Sequence, residues 1–356
     1  MFRAEDTPIS QKRRRMTEQS STVEDLTVTT AVVAQQTATG SGMTSSTSRG
    51  AIFYFQIAVV VIGVIGTAAN ALILYALVAS KQHRKHVLIV SQNALDLVSC
   101  VFLVVTYIAK LCRVHLSGSS GYWFCATILS EAFIWWGILG SKINLAAITI
   151  ERYLKVVHPA WRMKWLRNWM LHLAMAFIWI CPLAYSLALN FTTTDVIDGV
   201  CYGSVIWKSR VVKVAHGIWN FVSFYVVILL IIVFGYWRIL ICIRRQMKVM
   251  AEHQAAGPST AQIHSNQIQS NVIKTMILVS AFFAVTNFPV DFYFLLVNVN
   301  ENMTLLEGGY IVSMFIVFFY SCANPFIYAV KFDPVKRAIL SLIRCKQNST
   351  VTVEYT

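Results

Sequence analysis

Ionisable residues stand inside several long apolar runs of this chain, where a charge is costly. Asp96 lies in the middle of the run 87–109, and Lys142 lies in the run 122–150. Within a bilayer such residues are rare, and they usually bind, relay or pair. Asp96 therefore needs polar neighbours or water, and its oxygens suit a hard metal cation. Lys142 must either find a partner or lose its proton, and the sequence does not name that partner.

Two short motifs place further polar groups at the ends of apolar runs. Glu151 and Arg152 are adjacent and precede Tyr153, which predicts an acid–base pair, although such a triplet also occurs at ordinary solvated helix ends. Asn324 and Pro325 stand near the end of the last run. The proline frees a backbone carbonyl there, and the asparagine can bond nearby groups. Taken singly, these motifs predict only a helix end and a kink.

Motifs of covalent catalysis are missing from the sequence. It contains no Walker loop, no HExxH motif, no nucleophile elbow and no zinc-ligand spacing. Scattered histidines disfavour a seven-helix membrane enzyme, which would need His and Asp clustered near one face. A transporter or channel is disfavoured because no internal repeat is visible and the charges in the apolar runs do not line one path. The chain is therefore predicted not to be an enzyme and to require no cofactor.

Seven apolar runs must position these residues. The chain has 356 residues, 56% hydrophobic and 13% charged, whereas a soluble domain carries about 25% charged residues. Each run is long enough for the roughly 20-residue helix that crosses a bilayer. Because a backbone in lipid must satisfy its own hydrogen bonds, each run should be helical. The predicted fold class is an all-α membrane protein, a seven-transmembrane helix bundle. The runs are residues 51–80, 87–109, 122–150, 170–189, 214–237, 276–299 and 308–330.

The other segments predict four parts of the chain. Residues 1–50 are rich in Ser, Thr and Gln and are expected to form a disordered extracellular tail. Residues 51–331 should form the seven-helix bundle. Residues 332–345 predict a short amphipathic eighth helix on the cytoplasmic membrane surface. Residues 346–356 form a C-terminal tail.

Basic residues predict how the bundle is oriented. Lys and Arg are concentrated after the first, third and fifth runs and in the C-terminal tail, and none lies between the sixth and seventh runs. Because such residues favour the cytoplasmic side, the N-terminus is expected outside and the C-terminus inside. The net charge of +14 then reflects the inner rim. It favours contact with membrane lipids and an acidic cytoplasmic partner, and no nucleic acid is expected.

Four residues on the expected outer side suggest covalent modification. Asn190 and Asn302 begin glycosylation sequons. Cys125 and Cys201 lie near helix ends, where an oxidising exterior would let them pair.

The order of the polar residues resembles the rhodopsin-like (class A) G-protein-coupled receptors, including their peptide receptors. The resemblance covers roughly residues 51–345. It implies a plasma-membrane receptor that converts binding of an extracellular ligand into nucleotide exchange on a heterotrimeric G protein. The matching residues, one set per span, are Asn70, the stretch 93–96, Glu151-Arg152-Tyr153, Trp179, Pro289, and Asn324-Pro325 with Tyr328.

The resemblance implies a role for each matching residue. Arg152 would be restrained by Glu151 at rest and would meet the G protein in the active state. The residues that would move or repack during activation are Tyr236, Phe283, Pro289 and Tyr328. The residues that would hold an allosteric sodium ion are Asp96, Ser141, Ser321 and Asn324. Cys125 and Cys201 would form the disulfide that joins the third span to the second outer loop.

The cytoplasmic end carries further residues with an implied role. Cys345 is either palmitoylated or an ordinary free thiol. Ser349, Thr350 and Thr352 are equally consistent with receptor-kinase sites that recruit arrestin and with a plain flexible tail.

Three features depart from the family pattern. Asn287 stands where the family usually has a tryptophan, two residues before the proline of the sixth span, and Ile228 replaces the usual proline of the fifth span. The gap from Cys125 to Arg152 is two residues longer than the family norm. It predicts either a shifted disulfide or a bulge in the third span.

These departures concern the ligand cavity, which is expected between the third, fifth, sixth and seventh spans. Counting back from the arginine motif, Ile134 stands where amine receptors carry an acid, and counting forward from the outer cysteine, Ala132 does. Neither is an acid, which disfavours a monoamine, although Glu131 is near enough to substitute. Phe318 occupies the lysine position of visual pigments, which disfavours an opsin.

Acidic residues of the outer half favour a basic peptide as the ligand. They are Glu131, Asp195, Asp198, Asp291, Glu301 and Glu307. Loop acids are often merely solvated, and a lipid or another small molecule is the alternative ligand. The residues expected in the cavity are Glu131, Ile134, Asn287, Asp291 and Phe318.

Overall fold

The structure is a computed structural model of the chain. It describes residues 42–81, 83, 86–160, 168–203, 207–252, 260–300, 303, 308–331, 336 and 340. Within these residues, seven helical spans are long and apolar enough to cross a membrane, which confirms the predicted seven-helix fold. The spans are Gly50–Ala79, Val87–Leu111, Gly118–Val157, Trp169–Thr193, Arg210–Gln246, Ile273–Val299 and Gly308–Val330.

The chain divides into two compact units, residues 1–54 and 55–356. The first unit is described only from residue 42, where it forms the start of the first helix. Residues 42–50 were assigned to the disordered tail, and their helical structure corrects that boundary. Elongating an existing helix adds one hydrogen bond per residue, so the helix extends beyond the apolar run. All packing described below lies within the second unit.

Five spans are single helices, and two are interrupted. The single helices are α1 (Gly42–Ala79), α2 (Val87–Leu111), α5 (Asn168–Thr193), α8 (Thr260–Val299) and α9 (Gly308–Lys331). The third span consists of α3 (Gly118–Phe124), a π-helical turn (Cys125–Leu129) and α4 (Ala132–Val157). The fifth span consists of α6 (Arg210–Phe221), a π-helical turn (Val222–Val226) and α7 (Val227–Glu252).

A short β-hairpin follows the fourth span. Strands β1 (Asp195–Ile197) and β2 (Val200–Tyr202) are antiparallel, with Val196 opposite Cys201. The two turn residues, Asp198 and Gly199, both have positive φ angles, which suits the twist of a two-residue hairpin. Cys201 forms a disulfide with Cys125, as the resemblance implied, so the hairpin is tied to the third span.

Apolar side chains fill the interior of the bundle in two clusters. One surrounds Leu95, Phe283 and Tyr328, and the other surrounds Tyr107 and Phe318. Other large apolar residues point outward, as expected of helices whose surroundings are hydrocarbon. Examples are Leu72, Phe177 and Leu230. The predicted eighth helix is described only at residues 336 and 340, and the tail 346–356 lies outside the described residues.

Candidate functional site

Asp96 lies at the centre of a polar network between the second and seventh spans. Its carboxylate is fully buried, and its Oδ2 accepts a 2.9 Å hydrogen bond from the Asn324 amide. The side chains of Ser141 and Gln92 also interact with Asp96. These groups are the polar neighbours that the sequence required, because a buried carboxylate is tolerated only among hydrogen-bonding groups.

The sequence missed two members of this network. Gln92 donates a hydrogen bond to the Ser141 hydroxyl and accepts one of 2.8 Å from Asn144. Asn144 also donates a 2.9 Å hydrogen bond to the backbone carbonyl of Leu88. Helical spacing was the available signal, because Gln92 lies one turn before Asp96 and a residue four positions away shares its face.

The network suits a hard cation. Three buried oxygens near its centre lack a hydrogen-bond partner within the described part of the chain: Asp96 Oδ1, Ser321 Oγ and Asn324 Oδ1. Hard cations prefer carboxylate, hydroxyl and amide oxygens. The four residues predicted for sodium binding are all buried, and they supply these ligand types.

Other matching residues connect the spans to one another. The Asn70 amide donates to the backbone oxygens of Gly66, at 3.0 Å, and Ser321, at 3.3 Å, which joins the first span to the seventh. The Trp179 indole donates 3.0 Å to the Ser91 hydroxyl, which joins the fourth span to the second. A lost bond of this kind would leave a buried polar group unsatisfied.

The acid–arginine pair lies at the end of the third span opposite the disulfide. Arg152 Nε is 3.7 Å from a carboxylate oxygen of Glu151, and Lys155 also contacts that carboxylate. The Tyr153 hydroxyl lies 3.1 Å from His158 Nε2. Glu151 is therefore shared between two basic side chains of its own helix.

Buried aromatic residues pack around Phe283, one of the predicted switch residues. The rings of Phe283 and Tyr320 pack edge to face, with their centroids 6.1 Å apart. The centroid of the Tyr225 ring lies 6.2 Å from that of Phe283. The predicted switch residues Tyr236 and Tyr328 are also buried. Pro289 and Pro325 lie inside α8 and α9, where each removes a backbone donor.

Lys142 finds its partner in the sixth span. Its ammonium lies 2.9 and 2.7 Å from the two carboxylate oxygens of Asp291, and both side chains are buried. This contact corrects the assignment of Asp291 to the acidic mouth of the cavity, because its charge is already neutralised. The two residues are 149 positions apart, so no local pattern could have paired them.

The extra residues of the third span form a bulge, and the disulfide is not shifted. Ser130 N donates 2.9 Å to Cys125 O, five residues back, and Glu131 adopts a left-handed conformation with φ of 66°. Regular helix resumes at Ala132. Counting back from the arginine motif is therefore valid along α4, and Ile134 occupies the position of the amine-receptor acid.

The remaining cavity residues are largely apolar or internally bonded. Ile134 and Phe318 belong to the apolar cluster that surrounds Tyr107. Asn287 donates 3.1 Å to the carbonyl of Phe283, one turn back in its own helix. The fifth span, in which Ile228 replaces the usual proline, keeps a π-helical turn that ends two residues before that position.

Glu131 is held by two residues of the second span. Its carboxylate lies 2.5 Å from the Lys110 ammonium and accepts a 2.9 Å hydrogen bond from the Tyr107 hydroxyl. Of the acidic residues predicted for the outer half, Asp195 and Asp198 are exposed to solvent on the hairpin. Glu301 and Glu307 lie outside the described residues.

Asn190 is a poor glycosylation site in this structure. It lies inside α5, is only 2% exposed, and donates a 2.8 Å hydrogen bond to the Ser186 carbonyl. A glycosylated asparagine must lie on an accessible surface, so its burial contradicts the sequon prediction. Asn302 and Cys345, the other predicted modification sites, lie outside the described residues.

The fold and the network define a class of protein, a seven-helix membrane protein with a polar core and an acid–arginine pair at one end. The family model described as 7 transmembrane receptor (rhodopsin family) matches residues 69–328. The chain belongs to this family, as the sequence resemblance predicted. It is therefore a multi-pass membrane receptor and not an enzyme, in a family whose general partners are an extracellular ligand and a G protein.

Several receptors are similar over most of their length. Melatonin receptor type 1C of Gallus gallus is 25% identical over 304 residues, 81% of each chain. The substance-P receptor of Mus musculus is 23% identical over 309 residues, 83% of this chain and 72% of that one. The allatostatin-A receptor of Bombyx mori is 24% identical over 302 residues, 80% and 78%. Identities at this level leave the ligand open.

Proposed function

We propose that this receptor converts binding of an extracellular peptide into nucleotide exchange on a heterotrimeric G protein. The observation that carries the proposal is the position of Arg152, at the inner end of the third span beside Glu151. Because Glu151 is shared with Lys155, the restraint on Arg152 is weak and can be released.

Ligand binding would act by shifting a conformational equilibrium. A ligand changes the populations of two states only through its different affinity for them. In the proposed active state the sixth span moves outward around Pro289. The inner face then opens, and Arg152 becomes accessible to the Gα subunit.

The orientation in this proposal places the N-terminus outside. The Cys125–Cys201 disulfide lies at the end of the bundle where the third span begins. Successive spans alternate in direction, so the first span begins at the same end. Disulfides persist in oxidising compartments, which supports an extracellular location for this end at the plasma membrane.

A basic peptide is the ligand class that we propose. The exposed acids Asp195 and Asp198 lie on the hairpin at the outer end, where they would attract basic groups. The receptors for substance P and allatostatin-A among the relatives support a peptide. The melatonin receptor among them supports the second candidate, a small-molecule ligand.

We also propose an allosteric sodium ion in the core. Asp96, Ser141, Ser321 and Asn324 would hold it through the buried oxygens described above. Bound there, the ion would supply positive charge to the carboxylate and favour the conformation whose oxygens converge on it. The receptor kinase and arrestin contacts predicted from the tail would fall outside the described residues.

A nucleotide-exchange assay tests the function. The full chain is expressed with a panel of G proteins, and peptide extracts are screened for exchange. Arg152→Ala should abolish the response, whereas Lys208→Ala removes a positive charge from an exposed residue at the opposite end and should leave it intact. A response that persists in Arg152→Ala, or an ion flux without a G protein, would overturn the proposal.

A further inference from the structure

The contacts of Glu131 resemble those that a protein makes around a bound cation. The carboxylate lies 2.5 Å from the Lys110 ammonium and accepts a hydrogen bond from the Tyr107 hydroxyl. The same ammonium lies 4.7 Å from the centroid of the Tyr107 ring. A carboxylate beside an aromatic face is an arrangement that binds ammonium and guanidinium groups.

An irregular backbone places Glu131 in this position. The residue lies between the π-helical turn and α4, in a left-handed conformation that a side chain with a Cβ rarely adopts. It makes no side-chain cap to the helix that follows. Such a conformation persists only where the surroundings enforce it, and it concentrates at binding sites. Here it directs the carboxylate towards the second span.

Aromatic side chains surround the contact. The Tyr107 ring packs edge-on against the rings of Phe318 and Phe55, at centroid distances of 5.9 and 5.8 Å. The ring centroid of Trp135, one turn after Glu131, lies 6.5 Å from that of Phe318. Aromatic residues of the first and seventh spans thus pack against the Tyr107 ring, and the Tyr107 hydroxyl donates to the Glu131 carboxylate.

Lys110 differs from its partner in its access to solvent. Its side chain is 26% exposed, near the end of α2, whereas that of Glu131 is 10% exposed. Lys110 can therefore rotate outward into solvent, whereas Glu131 stays in place, bonded to Tyr107 and in limited contact with solvent. An incoming cation can replace Lys110 without leaving a buried charge unpaired, which is the arrangement that permits exchange.

We propose that Glu131 and the Tyr107 ring recognise a cationic group of the ligand, and that Lys110 is a tethered competitor for this site in the free receptor. The inference rests on the proposed receptor function and gives the basic group of the peptide a counter-ion. Binding exchanges one cation for another, so it forms and breaks no covalent bond. The Lys110 ammonium moves to solvent, and an ammonium or guanidinium group takes its place.

The two residues of this pair should respond in opposite directions. If Lys110 competes with the ligand, its neutralisation frees the site and strengthens cation binding. Neutralising Glu131 removes the site and weakens binding. A merely structural ion pair would behave differently, because losing either partner breaks the same contact and the two effects would share a sign.

Isosteric probes make the test specific for charge. Acetyl-arginine amide and acetyl-citrulline amide differ by one charge, and acetyl-lysine amide supplies an ammonium. Their affinities for the full-length receptor in lipid nanodiscs are measured by thermal shift. Lys110→Met should bind the arginine probe about tenfold more tightly than the wild type, the factor that corresponds to 1.4 kcal/mol. Its affinity for the citrulline probe should not change.

Two variants and a control complete the design. Glu131→Gln should bind the arginine and citrulline probes equally. Tyr107→Leu keeps the carboxylate and removes the ring, so its preference for arginine should fall several-fold, and it decides the matter if Glu131→Gln does not fold. Lys208→Met removes an exposed charge and should match the wild type.

Two results would overturn the inference. One is a weaker affinity for the arginine probe in both Lys110→Met and Glu131→Gln, and the other is a gain in Lys110→Met that the citrulline probe shares. Because these measurements need no G protein, they are independent of nucleotide exchange. Charge discrimination without exchange would refute the proposed function alone, and exchange without discrimination would refute this inference alone.

Discussion

Two lysine–carboxylate pairs join the third span to its neighbours, and they differ in their contact with solvent. The Lys142–Asp291 pair links the third and sixth spans, with side chains 0% and 4% exposed. The Lys110–Glu131 pair links the second and third spans, with side chains 26% and 10% exposed. The same chemistry is thus fully buried in one case and partly exposed in the other. We call Lys142–Asp291 the sealed pair and Lys110–Glu131, which lies near the disulfide end of the bundle, the rim pair.

The difference in exposure predicts different functions. Inside the bundle, the surroundings screen charge poorly, so a partner that leaves strands an expensive charge. The Lys142–Asp291 pair is therefore expected to act as a fixed connection between the two spans. At the rim, a departing lysine reaches water, so the Lys110–Glu131 pair can exchange its cation. The comparison predicts that the degree of burial, and not the residue types, distinguishes a structural ion pair from a ligand-binding one.

Breaking the sealed pair should have the largest effect on stability. Lys142→Met leaves the Asp291 carboxylate buried without a cation, and it should lower the free energy of unfolding by about 3–5 kcal/mol. Thermal unfolding of the detergent-solubilised receptor measures this loss. The double variant Lys142→Met with Asp291→Leu should recover most of it, since no charge stays unpaired. A single variant as stable as the wild type would contradict the comparison.

Removing the disulfide should have the next largest effect. Cys125→Ser frees the hairpin from the π-helical turn that precedes Glu131, and it should cost about 2–4 kcal/mol. The preference for the arginine probe should decline as well, because the rim depends on this geometry. Cys112→Ser is the matched control, since Cys112 is a free, exposed cysteine at the end of α2. Equal unfolding temperatures for both variants would exclude a structural function of the disulfide.

The sodium site should contribute less to the free energy of unfolding than the Cys125–Cys201 disulfide or the Lys142–Asp291 pair. At a sodium concentration ten times the Kd, binding stabilises the folded receptor by about 1.4 kcal/mol. The unfolding temperature of the wild type should therefore rise when sodium replaces N-methylglucamine at constant ionic strength. Asp96→Asn should lose this response, whereas Lys208→Ala should keep it. A sodium response that survives in Asp96→Asn would place the ion elsewhere.

Breaking the rim pair should have the smallest effect on stability. Lys110→Met should change the free energy of unfolding by about 0–1 kcal/mol, because solvent and salt screen a partly exposed pair. The same thermal unfolding assay compares it directly with Lys142→Met. If Lys110→Met were as destabilising as Lys142→Met, the two pairs would be equivalent and the distinction by burial would fail.

Local sequence patterns predicted much of the core and less of the outer half. Motifs singled out Asp96, Arg152 and Asn324; in the structure Asn324 donates a hydrogen bond to Asp96, and Arg152 Nε lies 3.7 Å from Glu151. The partner of Lys142 and the burial of Asn190 did not follow, because both depend on residues from other spans or on the depth of a helix end. The sequence left two explanations for the longer third span, and the backbone of Glu131 decided between them.

The amino-acid sequence by itself determined the seven spans and the family, because hydrocarbon imposes a fixed length and forces every backbone group into a helix. It also determined which charges were unusual. Only the tertiary structure decided which cation faces which carboxylate and how much water reaches each pair. Pairing joins residues from different helices, and the free energy of a charge depends on its depth, which no single helix specifies.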